Sequence, residues 1–270
     1  PVRGLESFLK VIDRATDQNA KDFQYKTTHP LSSDRYNWIK NSYKKYPNCK
    51  NSLNRDLELK FQYIKAKLTA FTHPQDEVIA IYQDKTNQFS QYAFAVTNFF
   101  NGNQEKSVGI LKSLIEKYPS NPYFHEFLGE VYYFEGNFLN AINEQKIAMK
   151  LLSQENDLHL MMLGSYLIAE SSNKNIEESI LVLNKSLFLN KYNSYAWYLL
   201  AKAHALNNNL ALAQYASAER YFLRGDRPLA LDFASKAVKN IDKNTVEWYR
   251  ANDLIELILG IDEKDNKNRS

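Results

Sequence analysis

His125 and Glu126 open the stretch HEFLGE, residues 125–130, which puts a histidine beside a carboxylate in a segment of helical spacing. A helix-borne zinc peptidase site needs H-E-x-x-H. Two histidines four apart share one helical face and hold the ion, and the glutamate serves as base. Here the fourth residue after His125 is Gly129, so the second ligand is missing. The other histidines are His29, His73, His159 and His204, and none makes an H-x-x-x-H pair. None stands at a metal-ligand spacing from Cys49, the single cysteine. A metal enzyme would have to gather ligands as distant as His29, His73 and His125, the least favoured reading. Nucleophile-elbow, P-loop and dinucleotide motifs are absent too. The chain alone is expected to be inactive, and HEFLGE has to be explained by packing.

Composition narrows the classes. The 270 residues are 44% hydrophobic, enough for a core of good size, yet mean hydropathy is −0.52. No apolar run approaches the roughly 18 residues a membrane helix needs. With 34 basic and 31 acidic residues, the net charge of +3 makes no case for nucleic acid. One cysteine allows no intrachain disulfide. Only 8 glycines and 7 prolines interrupt the chain, which argues for long helices and short turns.

Those helices can be placed. GLESFLKVIDRATDQ (4–18) spaces Leu5, Phe8, Leu9, Ile12 and Ala15 helically. KDFQYKTTHPLSS connects it onward, because Pro30 disfavours helix at His29. Ser32 or Ser33 offers an N-cap for DRYNWIKNSYKKY, which stops before Pro47. RDLELKFQYIKAKLTAF (55–71) is a further amphipathic helix, ended by His73–Pro74, and QDEVIAIYQ is a short one. No stretch alternates as a strand would.

From about residue 88 the pattern repeats with a period of 34 residues, the tetratricopeptide (TPR) period. VTNFFNGNQEKSVGILKSLIEKYPSNP aligns with EVYYFEGNFLNAINEQKIAMKLLSQEN: aromatic helix, Gly-Asn turn, second helix, break. TPR hairpins want small residues where helices A and B touch. The first repeat supplies Ala95, Ser107 and Leu114; the second Gly129, Ala141 and Ala148. The third supplies Gly164, Ser179, Leu183 and Ser186, with about three extra residues in its turn, SSNKNIEE. The fourth has Trp197, Ala201 and Ala213, and one more hairpin carries Ala218, Tyr221, Ala230 and Ala237. EWYRANDLIELIL would cap the stack, and the charged tail 261–270 is expected to be disordered. In this register Gly129 is a helix contact and His125 fills the usual tryptophan site.

A helices line the concave groove of a TPR stack. The groove-facing positions are then Tyr92, Val96 and Phe99; Tyr123, Glu126, Glu130 and Tyr133; Met161 and Ser165; and Tyr195, Tyr198 and Lys202. This tyrosine-rich surface of mixed charge suits a peptide or unfolded chain, since tyrosine brings contact area at low entropy cost. The Lys/Asn clamp for acidic C-termini is absent.

Thr28-His29-Pro30-Leu31, followed by Asp34-Arg35, resembles the T-H-P-x-x-x-x-R segment of BepA-like (YfgC/HtpX-related) periplasmic zinc metalloproteases. FQYIKAKLTAFTHP resembles their linking helix, and YPSNPYFHEFLGEVYYFEGNFLNAI a repeat of their alphaproteobacterial members. AWYLLAKAHALNNNLALAQYASAERYFLRGD and WYRANDLI resemble the closing repeats and cap. The resemblance implies a metallopeptidase parent with zinc, periplasmic location, a role in outer-membrane protein quality control, and β-barrel assembly machinery as a partner. The family's H-E-x-x-H would lie N-terminal to residue 1. His29 would then be a gate or extra ligand over that zinc, and Arg35 either pairs with a carboxylate there or starts a helix.

The expected fold is all-α, a TPR-like solenoid of helical hairpins. Residues 1–50 would be C-terminal protease-domain helices, 51–87 linking helices, 88–260 the repeats and 261–270 the tail. Two functions follow: the substrate- and partner-recruiting region of a zinc metalloendopeptidase, or a stand-alone TPR scaffold without catalysis.

Overall fold

The computed structural model describes residues 37, 38, 41, 54–152 and 154–267. The first amphipathic helix, the T-H-P loop with His29, Arg35 and Cys49 lie outside the described residues. Two compact units divide the chain, residues 1–61 and 62–270.

From residue 54 onward the described residues form twelve helices and no strand. The helix α1 (Arg55–Thr72) starts behind Asn54, whose side chain accepts from Asp56 N–H at 3.1 Å, and Asp56 and Glu58 sit in its first turn. It stops at His73–Pro74, as the sequence indicates, and α2 (Gln75–Ile81) follows. Then come α3 (Gln88–Phe100), α4 (Gln104–Lys117), α5 (Pro122–Phe134), α6 (Phe138–Leu151), α7 (Asp157–Glu170) and α8 (Asn173–Leu189). The stack closes with α9 (Ser194–Leu206), α10 (Leu210–Leu223), α11 (Arg227–Asn240) and α12 (Val246–Lys267).

One signal recurs at the heads of α3, α5, α7 and α9. Asn87, Asn121, Asn156 and Asn193 each accept from the N–H two residues on, at 2.8–3.1 Å. The asparagine satisfies a donor that the helix itself leaves free. The hairpin turns share a second signal. Gly102, Gly136 and Gly225 have φ of 76–79°, where a Cβ is penalised, and Asn208 and Ser171 fill the equivalent place at 56° and 62°.

Small residues make the expected close contacts. A Cβ on Gly129 would lie 3.2 Å from the Ala141 carbonyl, and one on Gly164 only 2.6 Å from Leu183 Cγ. Ser107 is buried and donates to the Ala95 carbonyl at 2.8 Å across the first hairpin. His125 is buried with Nδ1 2.6 Å from Glu144 Oε2 and Nε2 3.3 Å from the Pro119 carbonyl. Trp197 donates to the Lys191 carbonyl, also six residues upstream, at 2.8 Å. The histidine does tryptophan's work in the second repeat and adds a carboxylate contact.

Three expectations change. SSNKNIEE is not a long turn: only Ser171 and Ser172 lie outside helices, and the extra residues lengthen α8 to 17. The tail is not wholly irregular, because α12 continues to Lys267; after Gly260 nothing in its Glu- and Lys-containing sequence breaks a helix. From Gln62 onward, the linking segment belongs to the same compact unit as the repeats.

The repeat also changes phase. The α10–α11 connection has the left-handed glycine that otherwise closes an A helix, and Ala218 and Ala230 are both fully buried in one cluster. The second helix of the α9–α10 hairpin is therefore also the first helix of α10–α11, and α10 contacts α12 as one A helix contacts the next.

Candidate functional site

The register places Glu126, Glu130 and Tyr133 on one face of α5, and α1 meets that face. Lys67 Nζ lies 3.3 Å from Glu126 Oε1, 3.2 Å from Glu130 Oε2 and 5.2 Å above the Phe127 ring. His159 of α7 reaches the other oxygen of Glu126 at 3.5 Å. Burial alone would raise the Glu126 pKa, but the His159 hydrogen bond and the Lys67 charge outweigh it and hold the carboxyl below the usual range. Burial likewise opposes the charge on Lys67, and its two carboxylate partners push its pKa above the ordinary lysine value.

One turn earlier on α1, Tyr63 enters an aromatic box. Its ring centroid lies 4.8 Å from Phe89, 5.0 Å from Tyr123, 5.5 Å from Phe124 and 6.0 Å from Tyr92. Its hydroxyl donates to Gln88 Oε1 at 2.7 Å. Burial pushes its pKa up to about 12, against a hydrogen bond with Asn121 that lowers it.

α1 corrects the groove assignment for the first repeat. Tyr92 is 1% exposed, and Val96 and Phe99 are also buried, so these three offer no open surface. Tyr92 is covered by Tyr63 of α1 and packs on Phe124 and Phe127 of α5. Periodicity identified the inward-facing positions but not the helix that fills the space before them. Tyr123, Glu126, Glu130 and Tyr133 are half-buried around α1 and α7.

Beyond α1 the face opens. Tyr133 stacks on Tyr166 at 4.8 Å, and the Tyr166 hydroxyl is buried without a partner. Burial, then the charges of Glu130 and Glu126, drive its pKa well above the ordinary tyrosine value. Met161 and Ser165 are half-buried; Met161 Sδ accepts from Asn193 at 3.3 Å, and Ser165 hydrogen-bonds Tyr195. Tyr195 and Tyr198 are 52% and 37% exposed with centroids 5.7 Å apart, and Lys202 is exposed one turn on. Arg220 of α10 places its guanidinium 4.6 Å over Tyr198 and 5.2 Å over Tyr221, which stacks on Phe233 at 5.5 Å. The surface thus runs from acidic and covered at α5 to aromatic, basic and open at α9–α10. Lys67, His159, Tyr166 and Arg220 escaped the sequence reading. Lys67 lies outside the repeats, and the others fall off the assumed groove register.

Among the described residues no three of His, Cys, Asp and Glu converge to hold a metal. His125 is engaged with Glu144, and His73 sits against Thr69 and Thr72 at the end of α1. The zinc implied by the resemblance finds no fitting donor set on these residues, and no chemistry is routed through it. No described helix is long and apolar enough to cross a membrane.

No protein-family model matches the chain. Over 175 residues, 65% of its length, it is 25% identical to the β-barrel assembly-enhancing protease of Escherichia coli K12, and equally to that of Shigella flexneri. The chain spans about a third of the length of these curated relatives, 35%. Among solved structures it is similar to MamA (17% identity, TM-score 0.45, 64% of this chain and 96% of that one). It is also similar to YrrB, a TPR protein with an unusual peptide-binding site (18%, 0.42, 64% and 96%), and to a thermophilic TPR protein of Thermus thermophilus (14%, 0.40, 63% and 99%). The all-α TPR-like fold rests on the helices, caps and turns described above.

Proposed function

We propose that this chain is the substrate- and partner-recruiting TPR region of a periplasmic zinc metalloendopeptidase that serves outer-membrane protein quality control. The observation that carries the recruiting role is the open aromatic–cation surface of Tyr195, Tyr198, Lys202 and Arg220, which has the contact area and donors to hold an extended or partly folded polypeptide. The T-H-P resemblance and the 25% identity to the β-barrel assembly-enhancing proteases support the metallopeptidase setting, with the β-barrel assembly machinery as a further partner. These 270 residues contain no H-E-x-x-H, so peptide cleavage would be carried by residues outside them, and His29 would gate or ligate zinc there.

Casein hydrolysis by this chain and by its natural reading frame tests the setting. Chelator-sensitive cleavage is expected only where an H-E-x-x-H is present, and Tyr198→Ala with Arg220→Ala should raise KM several-fold there without changing kcat. An unchanged KM would remove the recruiting surface from the proposal. Absence of the zinc motif from the natural frame would favour the second reading, a stand-alone scaffold. That reading draws support from residues 62–270 forming one compact unit.

A further inference from the structure

Over the first two repeats α1 sits on the groove face in the manner of a bound helix. It contributes two anchors one turn apart. Tyr63 fills the aromatic box of Phe89, Tyr92 and Tyr123, and Lys67 bridges Glu126 and Glu130. Glu126 and Glu130 hold the register positions that Tyr198 and Lys202 hold, open, in α9. α1 engages this face through Tyr63 and Lys67 and buries Ala66 and Ala70 in the core that it shares with the repeats. Repeat helices approach each other closely at Gly129 and Gly164. Its far face carries Ile64, Leu68 and Phe71, all more than half exposed. The Tyr166 hydroxyl, under the influence of Glu130, is buried without a hydrogen-bond partner.

We infer that the α3–α7 stretch of the groove is a helix-binding subsite, held closed by α1, for a partner helix that presents an aromatic residue and a lysine four positions later. This deepens, and rests on, the reading of the concave face as a recruiting surface. The chemistry selects such a partner. Two carboxylates face one lysine, so a cationic helix is attracted and an acidic one repelled. The aromatic box demands a ring at the preceding turn, and a partner donor or acceptor can satisfy Tyr166. Helix-in-groove recognition uses this i, i+4 anchoring.

The test uses the full chain and a fluorescent peptide of residues 55–72, RDLELKFQYIKAKLTAFT. In the Lys67→Glu protein the tethered helix is repelled by Glu126 and Glu130, while both carboxylates stay available to the peptide's own lysine. That protein should bind the peptide at least tenfold more tightly than the natural chain, and a peptide carrying Lys67→Glu should not bind. Equal binding by the two proteins, or equal binding of the two peptides, overturns the inference. A Tyr63→Ala protein checks the same release through the aromatic anchor, and circular dichroism confirms that each variant stays helical. Binding of an unfolded outer-membrane β-barrel polypeptide is measured in parallel, with Tyr198→Ala as its control. Client binding without peptide capture defeats the closed subsite alone. Peptide capture without client binding defeats the recruiting role that it rests on.

Discussion

At the scale of single residues, polar and small side chains set the constraints. His125→Ala removes a carboxylate contact and a carbonyl contact from a buried site and leaves Glu144 without its partner. A loss of about 2 kcal/mol is expected, measured by urea unfolding. Gly164→Ala forces a methyl into Leu183, which is fully buried and cannot swing away. Overpacking of about 1–3 kcal/mol outweighs the roughly 1 kcal/mol of helix propensity that alanine brings, so the net change is destabilising. Gly129→Ala meets a milder 3.2 Å contact and should be close to neutral, and adding Leu183→Val should rescue Gly164→Ala. His204 gives a pH signature. Burial lowers its pKa below the ordinary 6.5, with Glu247 opposing. The unfolded chain therefore takes up the proton more readily, and stability present above about pH 6.5 drains as the pH falls below it. His204→Leu should flatten the fall in melting temperature between about pH 7 and pH 5, a window set by that ordinary histidine value.

At the scale of helices, the hairpins were legible because two periodicities coincide in them: apolar residues at helical spacing, and small residues wherever one backbone meets another. Gly129 with Ala141 shows both, and its contact is as close as the motif demands. What escaped has physical reasons. The extra residues before Ile176 look like a loop because Ser, Asn and Lys are polar, but an exposed first turn of α8 needs no apolar residue. The covered state of Tyr92 and Val96 could not be read from their own repeat, since periodicity gives a face and not its occupant. A clue stood in α1 itself, where Tyr63, Ala66 and Ala70 mark one side while Ile64, Leu68 and Phe71 mark another. A lone surface helix needs only one such side. Of the candidate site, the open part at Tyr195, Tyr198 and Lys202 was legible, and the Lys67–Glu126–His159 cluster was not, because its members come from three helices. The phase change at α10 gives an element-scale prediction. Gly225 closes α10 at φ 79°, a turn that a simple fourth-repeat B helix would not need. Gly225→Ala should cost about 1–2 kcal/mol, matching the cost of Gly136→Ala at the A-helix turn of the second repeat. A neutral outcome at Gly225 alone would return α10 to a plain B helix. The readout is the thermal shift of each variant.

At the scale of the molecule, stability in a stack of repeats is a sum of hairpin terms and neighbour terms, so the weakest junction decides whether unfolding is one event or two. The buried apolar clusters locate that junction. One cluster runs from Tyr63 to Leu167, a second from Ile168 to Ala251, and a small third joins Ala218, Ala230, Ala234, Leu254 and Ile258 within α10–α12, so the division between the two large clusters is the one that splits the stack. The change occurs within α7, whose consecutive residues Leu167 and Ile168 face different clusters. Close packing across the pair is therefore what couples the acidic, covered half of the groove to the open, basic half. Leu167 is fully buried, and Leu167→Ala should cost about 2–5 kcal/mol through lost transfer energy and a cavity. Its location makes a second demand that a core position inside one cluster would not. The amides of α3–α6 and those of α9–α12 should exchange with one rate profile in the natural chain and with two in the variant. Leu200→Ala, equally buried but interior to the second cluster, should lower protection in α9–α12 while leaving α3–α6 nearly unchanged. Hydrogen exchange read by mass spectrometry separates these patterns. A Leu167→Ala protein that still exchanges as one unit would show that the halves communicate through the polar face of Glu126, His159 and Tyr166 rather than through the apolar seam.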